Sequence, residues 1–295
     1  GLFLLRDGRV APLPDGLEPL RTGVLSRVFE DPLGTLWVGT SGSGVARYAA
    51  GRVSFLGEGG GVGDAIRALH GDRDGRLWIG TNGAGVSRLR DGTFTAYTVR
   101  EGLARDFAYT VFEDGGGTLW AGSAGGLDRF DGRVFSKASP PWPRPFAVRS
   151  IAEGPDGALW IGTYGAGVWA LRGGRWRGWS AQDGLAHDTV RAVLADRRGR
   201  VWAATNGGLS VLENGGWKSY RTADGLPTSS LIGLAEDADG SLWIGSDGAG
   251  LTRSSRGAFR TFTTRDGLAS DVILGLRVDE RGTLWVATNG GLSRR

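Results

Sequence analysis

Few side chains in this sequence are suited to bond-making chemistry. His70 and His187 are the only histidines, and the 295 residues contain no cysteine, so disulfides and thiolate metal sites are excluded. There is no G-x-S-x-G elbow, no His pair at metal-ligand spacing and no G-x-x-x-x-G-K-[ST] phosphate loop. The sequence offers recognition chemistry instead. Arg67, Tyr109, Arg149 and Arg191 occupy equivalent places in four successive repeats. Guanidinium edges beside a phenol ring suit a carboxylate, a sulfate or an acidic sugar.

The equivalence of those positions rests on the elements that carry them. Trp37, Trp78, Trp120, Trp160, Trp202, Trp243 and Trp285 recur at intervals of 41, 42, 40, 42, 41 and 42 residues, the mark of a repeat architecture. Around each Trp the copies read D-G-L, a variable stretch, an apolar segment, D-x-x-G-x-L-W-I-G-T, a Gly-rich turn, G-[LV]-x-R and an aromatic segment. In the first copy 26–30, 36–39, 45–48 and 53–56 are too short for helices and rich in β-branched and aromatic residues, which predicts four strands per copy. Segments such as Leu77-Trp78-Ile79 are apolar on both sides of the pleat, so both faces must be covered. Four-stranded blades sandwiched around an axis meet that demand. The expected fold is all-β: one seven-bladed propeller spanning 1–295, its Trp ladder buried as core.

The D-G-L...D-x-x-G-x-L-W-I-G-T-x-x-G-[GV]-L-x-R pattern resembles the two-component regulator propeller repeat. That family occurs in periplasmic sensor regions of bacterial hybrid histidine kinases and related signalling proteins. The resemblance covers essentially the whole chain, although Gly57-Glu58-Gly59 and Ser139-Pro140-Pro141 stand where D-G-L is expected. It implies a periplasmic or extracellular sensing or interaction module belonging to a larger signalling chain, with a homodimer as one possible assembly. The family's additional β-sandwich, membrane span and kinase do not follow the last repeat. The segment 1–10 aligns with the third and fourth strands of a repeat, so N-terminal strands are expected to complete the last blade. The stub 291–295 competes for the third-strand slot.

Fold and repeat together locate candidate residues. The position eleven before each Trp reads Ser26, Arg67, Tyr109, Arg149, Arg191, Ile232 and Leu274, a one-sided cationic and aromatic wall if these side chains face the axis. Fourteen before the Trp stand Asp64, Asp106, Asp188 and Asp271, read as turn residues that satisfy backbone N–H groups and not as a cation site. In the Gly-rich turns Tyr164 replaces the usual small or polar residue and is a ligand-contact candidate. Blade four also carries a proline-rich loop in which Trp142, Arg144 and Phe146 are candidates for partner contact, the alternative being a lid over the blade edge. His70 and His187 are placed at opposite ends of the blades.

Composition fits a solvated surface. Lys and Arg together number 35 against 31 Asp and Glu, with Lys137 and Lys218 the only lysines and no basic block, so no nucleic-acid partner is expected. No run of about 18 apolar residues and no signal peptide occurs. Lacking any Met, the chain reads as a mature or excised piece. Expected partners are a small-molecule or oligosaccharide ligand at the top-face funnel and other domains of the same signalling chain, with no cofactor and no metal. Two rival readings are a lyase resembling the streptogramin-inactivating propellers, which would lean on His187, and a pure protein-interaction scaffold.

Overall fold

The computed structural model describes residues 2–6, 9–11, 16, 17, 20, 25–57, 62, 63, 65–138, 140–142, 144–255, 257–279 and 282–289. Each repeat folds as an antiparallel meander of four short strands, and the strands form four-stranded sheets. Within blade one the strands are Leu25–Glu30, Leu36–Thr40, Val45–Ala49 and Arg52–Leu56. The first lies innermost, and each Trp sits in the second strand. Burial of that second strand is complete, as in Leu77–Thr81 and Leu242–Ser246, which is why it reads as an unbroken apolar run.

The expectation of a seven-bladed propeller is corrected. Six blades are built from four consecutive strands: 25–56, 66–97, 108–137, 147–179, 190–220 and 231–262. The remaining sheet is not a repeat unit but a composite of both chain ends, in which Leu2–Arg6 pairs with Leu284–Thr288 and with Arg9–Ala11. The repeat frame is permuted against the chain, so the last Trp-bearing pair of strands has no outer strands of its own. Its third-strand slot is taken by Leu2–Arg6; residues 290–295 lie outside the described residues. The inner strands meet in a closed circuit from Leu25–Glu30 through those of blades two to six to Ile273–Val278 and back.

One device fixes the spacing between blades and a second fixes the turn within each. The Gly of W-x-G-T is needed for close approach, since a Cβ on Gly39 would stand 2.7 Å from Ile66 of the next blade and one on Gly122 2.5 Å from Val148. The indole N–H of Trp37, Trp78, Trp120, Trp202, Trp243 and Trp285 donates to the Asp six residues earlier, at 2.6 to 3.0 Å. Blade four departs from this, with Gly154 where the carboxylate should be. All seven Trp side chains are buried, at 1 to 9% exposure.

Candidate functional site

The position eleven before each Trp has a structural identity that its sequence does not announce. In every inner strand it is the extra residue of a β-bulge: the ladder steps from Leu25 to Arg27, Ile66 to Ala68, Ala108 to Thr110, Val148 to Ser150, Val190 to Ala192, Leu231 to Gly233 and Ile273 to Gly275. A bulge leaves one residue unpaired and re-aims its side chain. Repeated around the ring, it turns Tyr109, Arg149, Arg191, Ile232 and Leu274 into the wall of an axial cup of about 210 Å³.

The cup has three tiers. The bulge residues form the upper one. Below them lie small residues, Ala68, Thr110, Ser150, Ala192, Gly233 and Gly275, and then an apolar girdle that includes Leu69, Val111, Val193, Leu234 and Leu276. Blade one breaks the middle tier, because its residue there is Arg27. The space left by small side chains around the ring admits this guanidinium, whose Nη1 donates to the bulge carbonyls of Ser26 at 2.6 Å and Leu274 at 2.5 Å. Arg27 was absent from the sequence candidates. It sits one residue out of step with the aligned position, and a break in an otherwise small-residue column was the signal that could have found it. Ser26, which does hold the aligned position, turns away from the axis: its Oγ donates to Ile66 O at 2.6 Å and Gly39 O at 3.2 Å.

Arg149 is the best-defined member of the wall. Its guanidinium lies 4.0 Å from the Tyr109 ring centroid and 5.3 Å from that of Tyr164, so the turn residue and the bulge residue converge on one cation. Arg191 is oriented by Asn206, whose Oδ1 accepts from Nε at 2.9 Å. Arg67 is exposed and does not line the cup, yet its charge is felt there. Burial, then Arg67 and then Arg149, push the Arg27 guanidinium down to about 10. Burial also lowers Arg149; the Tyr109 ring opposes that, and Arg191 and Arg67 add to it. Among the described residues none of these four arginines makes an ion pair with a carboxylate.

The other candidates are placed as follows. Asp106, Asp188 and Asp271 accept the backbone N–H of Val99, Ala181 and Thr264 at 2.7 to 2.8 Å, which is turn chemistry; Asp64 lies outside the described residues. No group of three His, Asp or Glu side chains fit to hold a metal occurs among the described residues. Trp142 is half-buried against the core between blades three and four and meets Trp169 and Phe146 edge-on at 6.1 and 5.9 Å. Phe146 is half-buried, and exposed Arg144 lies 4.7 Å over its ring. Trp142 and Phe146 thus pack together at the side of blade four. His70 is held by the inner strand of the next blade: Nε2 accepts the Glu113 N–H at 2.9 Å, and burial, then Arg277, against Asp72, push the imidazole down to about 4. His187 Nδ1 accepts the Thr189 N–H at 2.8 Å.

Larger grooves run between the outer parts of the blades. One of about 770 Å³ between blades four and five is lined by Trp160, Trp179, Arg177, Arg198 and Arg200. Its stacking of Arg177 on Trp179 recurs as Lys218 on Tyr220 and Arg260 on Phe262, which marks a feature of the repeat. The axial cup has no such internal counterpart.

Trp-marked blades around a closed circuit of inner strands, with one cationic mouth on the axis, define a β-propeller. Five segments, 60–83, 147–165, 184–207, 225–248 and 267–290, match the family described as two component regulator propeller, so the chain carries repeats of that family. No curated protein sequence matches the chain. Among solved structures, the extracellular domain of a hybrid two component system from B. thetaiotaomicron matches 92% of the chain with a TM-score of 0.80 at 22% identity. The chain spans 39% of that protein's length. Virginiamycin B lyase from Staphylococcus aureus, in a catalytically inactive histidine-to-alanine form with quinupristin, matches with a TM-score of 0.74 at 15% identity, covering 98% of this chain and 99% of that one. PorZ of Porphyromonas gingivalis, a surface component of the type-IX secretion system, gives 0.66 at 17% identity over 97% of this chain and 49% of that one. At these identities the likeness is one of fold. Among the described residues no helix is long and apolar enough to cross a membrane.

Proposed function

We propose that the chain is a non-catalytic ligand-sensing or interaction propeller of a bacterial signalling protein, located in the periplasm or outside the cell, that holds an anionic ligand at its axial mouth. The observation that carries this reading is the set of guanidinium groups at the axis that, among the described residues, have no carboxylate partner. Like charges in a partly dehydrated cup repel one another, and an anion is the ligand whose binding relieves that repulsion. Arg149 and Arg191 would contact it, with Tyr109 and Tyr164 holding Arg149, Arg67 attracting it at the rim, and Arg27 supplying charge from below. A ligand that binds one docking arrangement of the propeller better than another shifts the balance between them.

Calorimetric titration of the 295-residue chain with acidic oligosaccharides and with simple organic anions tests the reading. Arg149→Ala is expected to weaken the heat signal at least tenfold. Absence of binding by every anion, in wild type and variant alike, removes it. The lyase alternative has little chemistry to draw on. With the His187 Nδ1 lone pair taken by the Thr189 N–H, the neutral ring carries its proton on Nε2 and lacks a free basic nitrogen.

A further inference from the structure

The cup discriminates among anions by charge, size and shape, and this deepens the reading above, on which it rests. Its cationic half is formed by Arg149 and Arg191 with Arg27 beneath them, and Ile232 and Leu274 face it as an apolar half. The cations are already anchored by one part of each side chain. Arg27 is tied by Nη1 to two bulge carbonyls, Arg191 by Nε to Asn206, and the Arg149 guanidinium is flanked by the Tyr109 and Tyr164 rings. Flanking rings leave a guanidinium its N–H edge to offer, and a carboxylate takes that edge with two oxygens. Anchored donors lose little freedom when a ligand arrives.

Charge count and volume then narrow the ligand. A single carboxylate neutralises one of the converging cations and leaves the others facing one another, whereas two carboxylates on one molecule neutralise two. A cavity of about 210 Å³ lies below the usual range for drug-sized ligands and holds roughly ten non-hydrogen atoms. Ile232 and Leu274 on the far wall favour methylene groups over further oxygen atoms.

We infer that the axial cup binds a short aliphatic dicarboxylate of about four to six carbons, its carboxylates on the Arg149, Arg191 and Arg27 side and its methylenes against Ile232 and Leu274.

The test compares succinate with butyrate, which has the same carbon count and half the charge, and with inorganic phosphate, which has the charge without the hydrocarbon. D-Galacturonate serves as a bulkier acidic sugar. Each is titrated calorimetrically into the whole chain at fixed ionic strength. Succinate is expected to bind at least tenfold tighter than butyrate and than phosphate. Arg191→Gln and Ile232→Ser should each weaken succinate several-fold, and the second leaves every cation in place should an arginine variant fold poorly. Equal affinity for succinate and butyrate overturns the inference, as does phosphate binding as tightly as succinate. If galacturonate binds in an Arg149-dependent way and succinate does not, the dicarboxylate assignment falls and the anion-sensing reading stands. If none of the four binds, both fall.

Discussion

Arginine does two different things in this molecule, and the contrast between the lower turns and the axis shows how to tell them apart. At the turn leading into the Trp strand of blade five, Asp196 accepts the Arg198 and Arg200 N–H groups at 3.0 and 2.9 Å, the Arg200 Nε at 2.7 Å and the Trp202 indole at 2.9 Å. Asp72 organises Arg76 and Trp78 in the same way in blade two. Burial works against the charge of Asp196, but the bonds from Trp202 and Arg200 outweigh it and hold the carboxyl below its ordinary range. There the cation completes a satisfied network that exists to fix a turn. At the axis Arg27, Arg149 and Arg191 converge with Arg67 outside the cup, and among the described residues none of them pairs with a carboxylate. A structural arginine arrives with its counter-ion; under the proposed reading, the axial ones receive theirs from the ligand.

Stability separates the two regions most sharply. Asp196→Ala leaves Trp202, Arg200 and two backbone N–H groups without their acceptor in a site that is 2% exposed, and removing one partner of a buried network costs about 3 kcal/mol or more. Arg149→Ala removes a cation that repels its neighbours and is expected to lie within about 1 kcal/mol of wild type, on either side. Urea unfolding followed by Trp fluorescence measures both. Equal losses in the two variants would mean that the axial arginines are structural after all.

Buried ionisable groups that lack a full set of partners should also announce themselves through pH, and two of them act in opposite directions. Asp128 is completely buried, with one oxygen bonded to the Ala104 N–H at 3.0 Å and the other without a partner. Burial raises its carboxyl to about 6 despite that bond and the nearby Lys137. The folded state therefore holds the proton more tightly than the unfolded chain, and stability is lost as pH rises from 3.8 to about 6. His70, lowered to about 4, is the reverse. Its neutral form is favoured by folding, so its contribution is whole above 6.5 and disappears as pH falls to about 4. Each shift corresponds to about 3 kcal/mol, and in the wild type the two largely offset each other. Asp128→Asn removes one of them. Its unfolding free energy should fall by about 3 kcal/mol between pH 6.5 and 4, while the wild type changes far less. Parallel pH profiles for the two proteins would show that Asp128 is not held protonated by the fold.

What the sequence disclosed and what it withheld follow one physical line. The Trp spacing, the strands and a contribution of N-terminal strands to the last sheet were legible because repetition and apolar patterning act locally, whereas the choice between 1–5 and 291–295 for its third-strand slot was not. Arg67, Tyr109, Arg149 and Arg191 were found as a column, but not that the column is a bulge, since a bulge depends on register between two strands and leaves no mark in one of them. Arg27 escaped for the same reason, its side chain reaching the axis from the position after the bulge. Trp142 was singled out as a partner-contact candidate from its proline-rich setting, whereas its edge-on contact with Trp169 is set by tertiary packing that the local sequence does not show. The composite sheet shows the limit from the other side. Seven Trp residues count seven strands of one kind, not seven contiguous blades.

The smallest expected effect tests whether a counter-ion alone makes an arginine structural. Arg172 pairs with Asp156 in blade four, with side chains 67% and 45% exposed, in the one contiguous blade where Gly154 replaces the Asp that elsewhere receives the indole N–H. Solvent screens such a pair, and the entropy of two mobile side chains offsets most of its attraction. Arg172→Ala is therefore expected to cost less than about 0.5 kcal/mol in urea unfolding. It should also leave anion binding at the axis unchanged. A loss approaching that of Asp196→Ala would show that pairing itself, and not burial of the carboxylate with its indole, is what stabilises the lower turns. The distinction between the two classes of arginine would then have to be drawn on charge pairing alone.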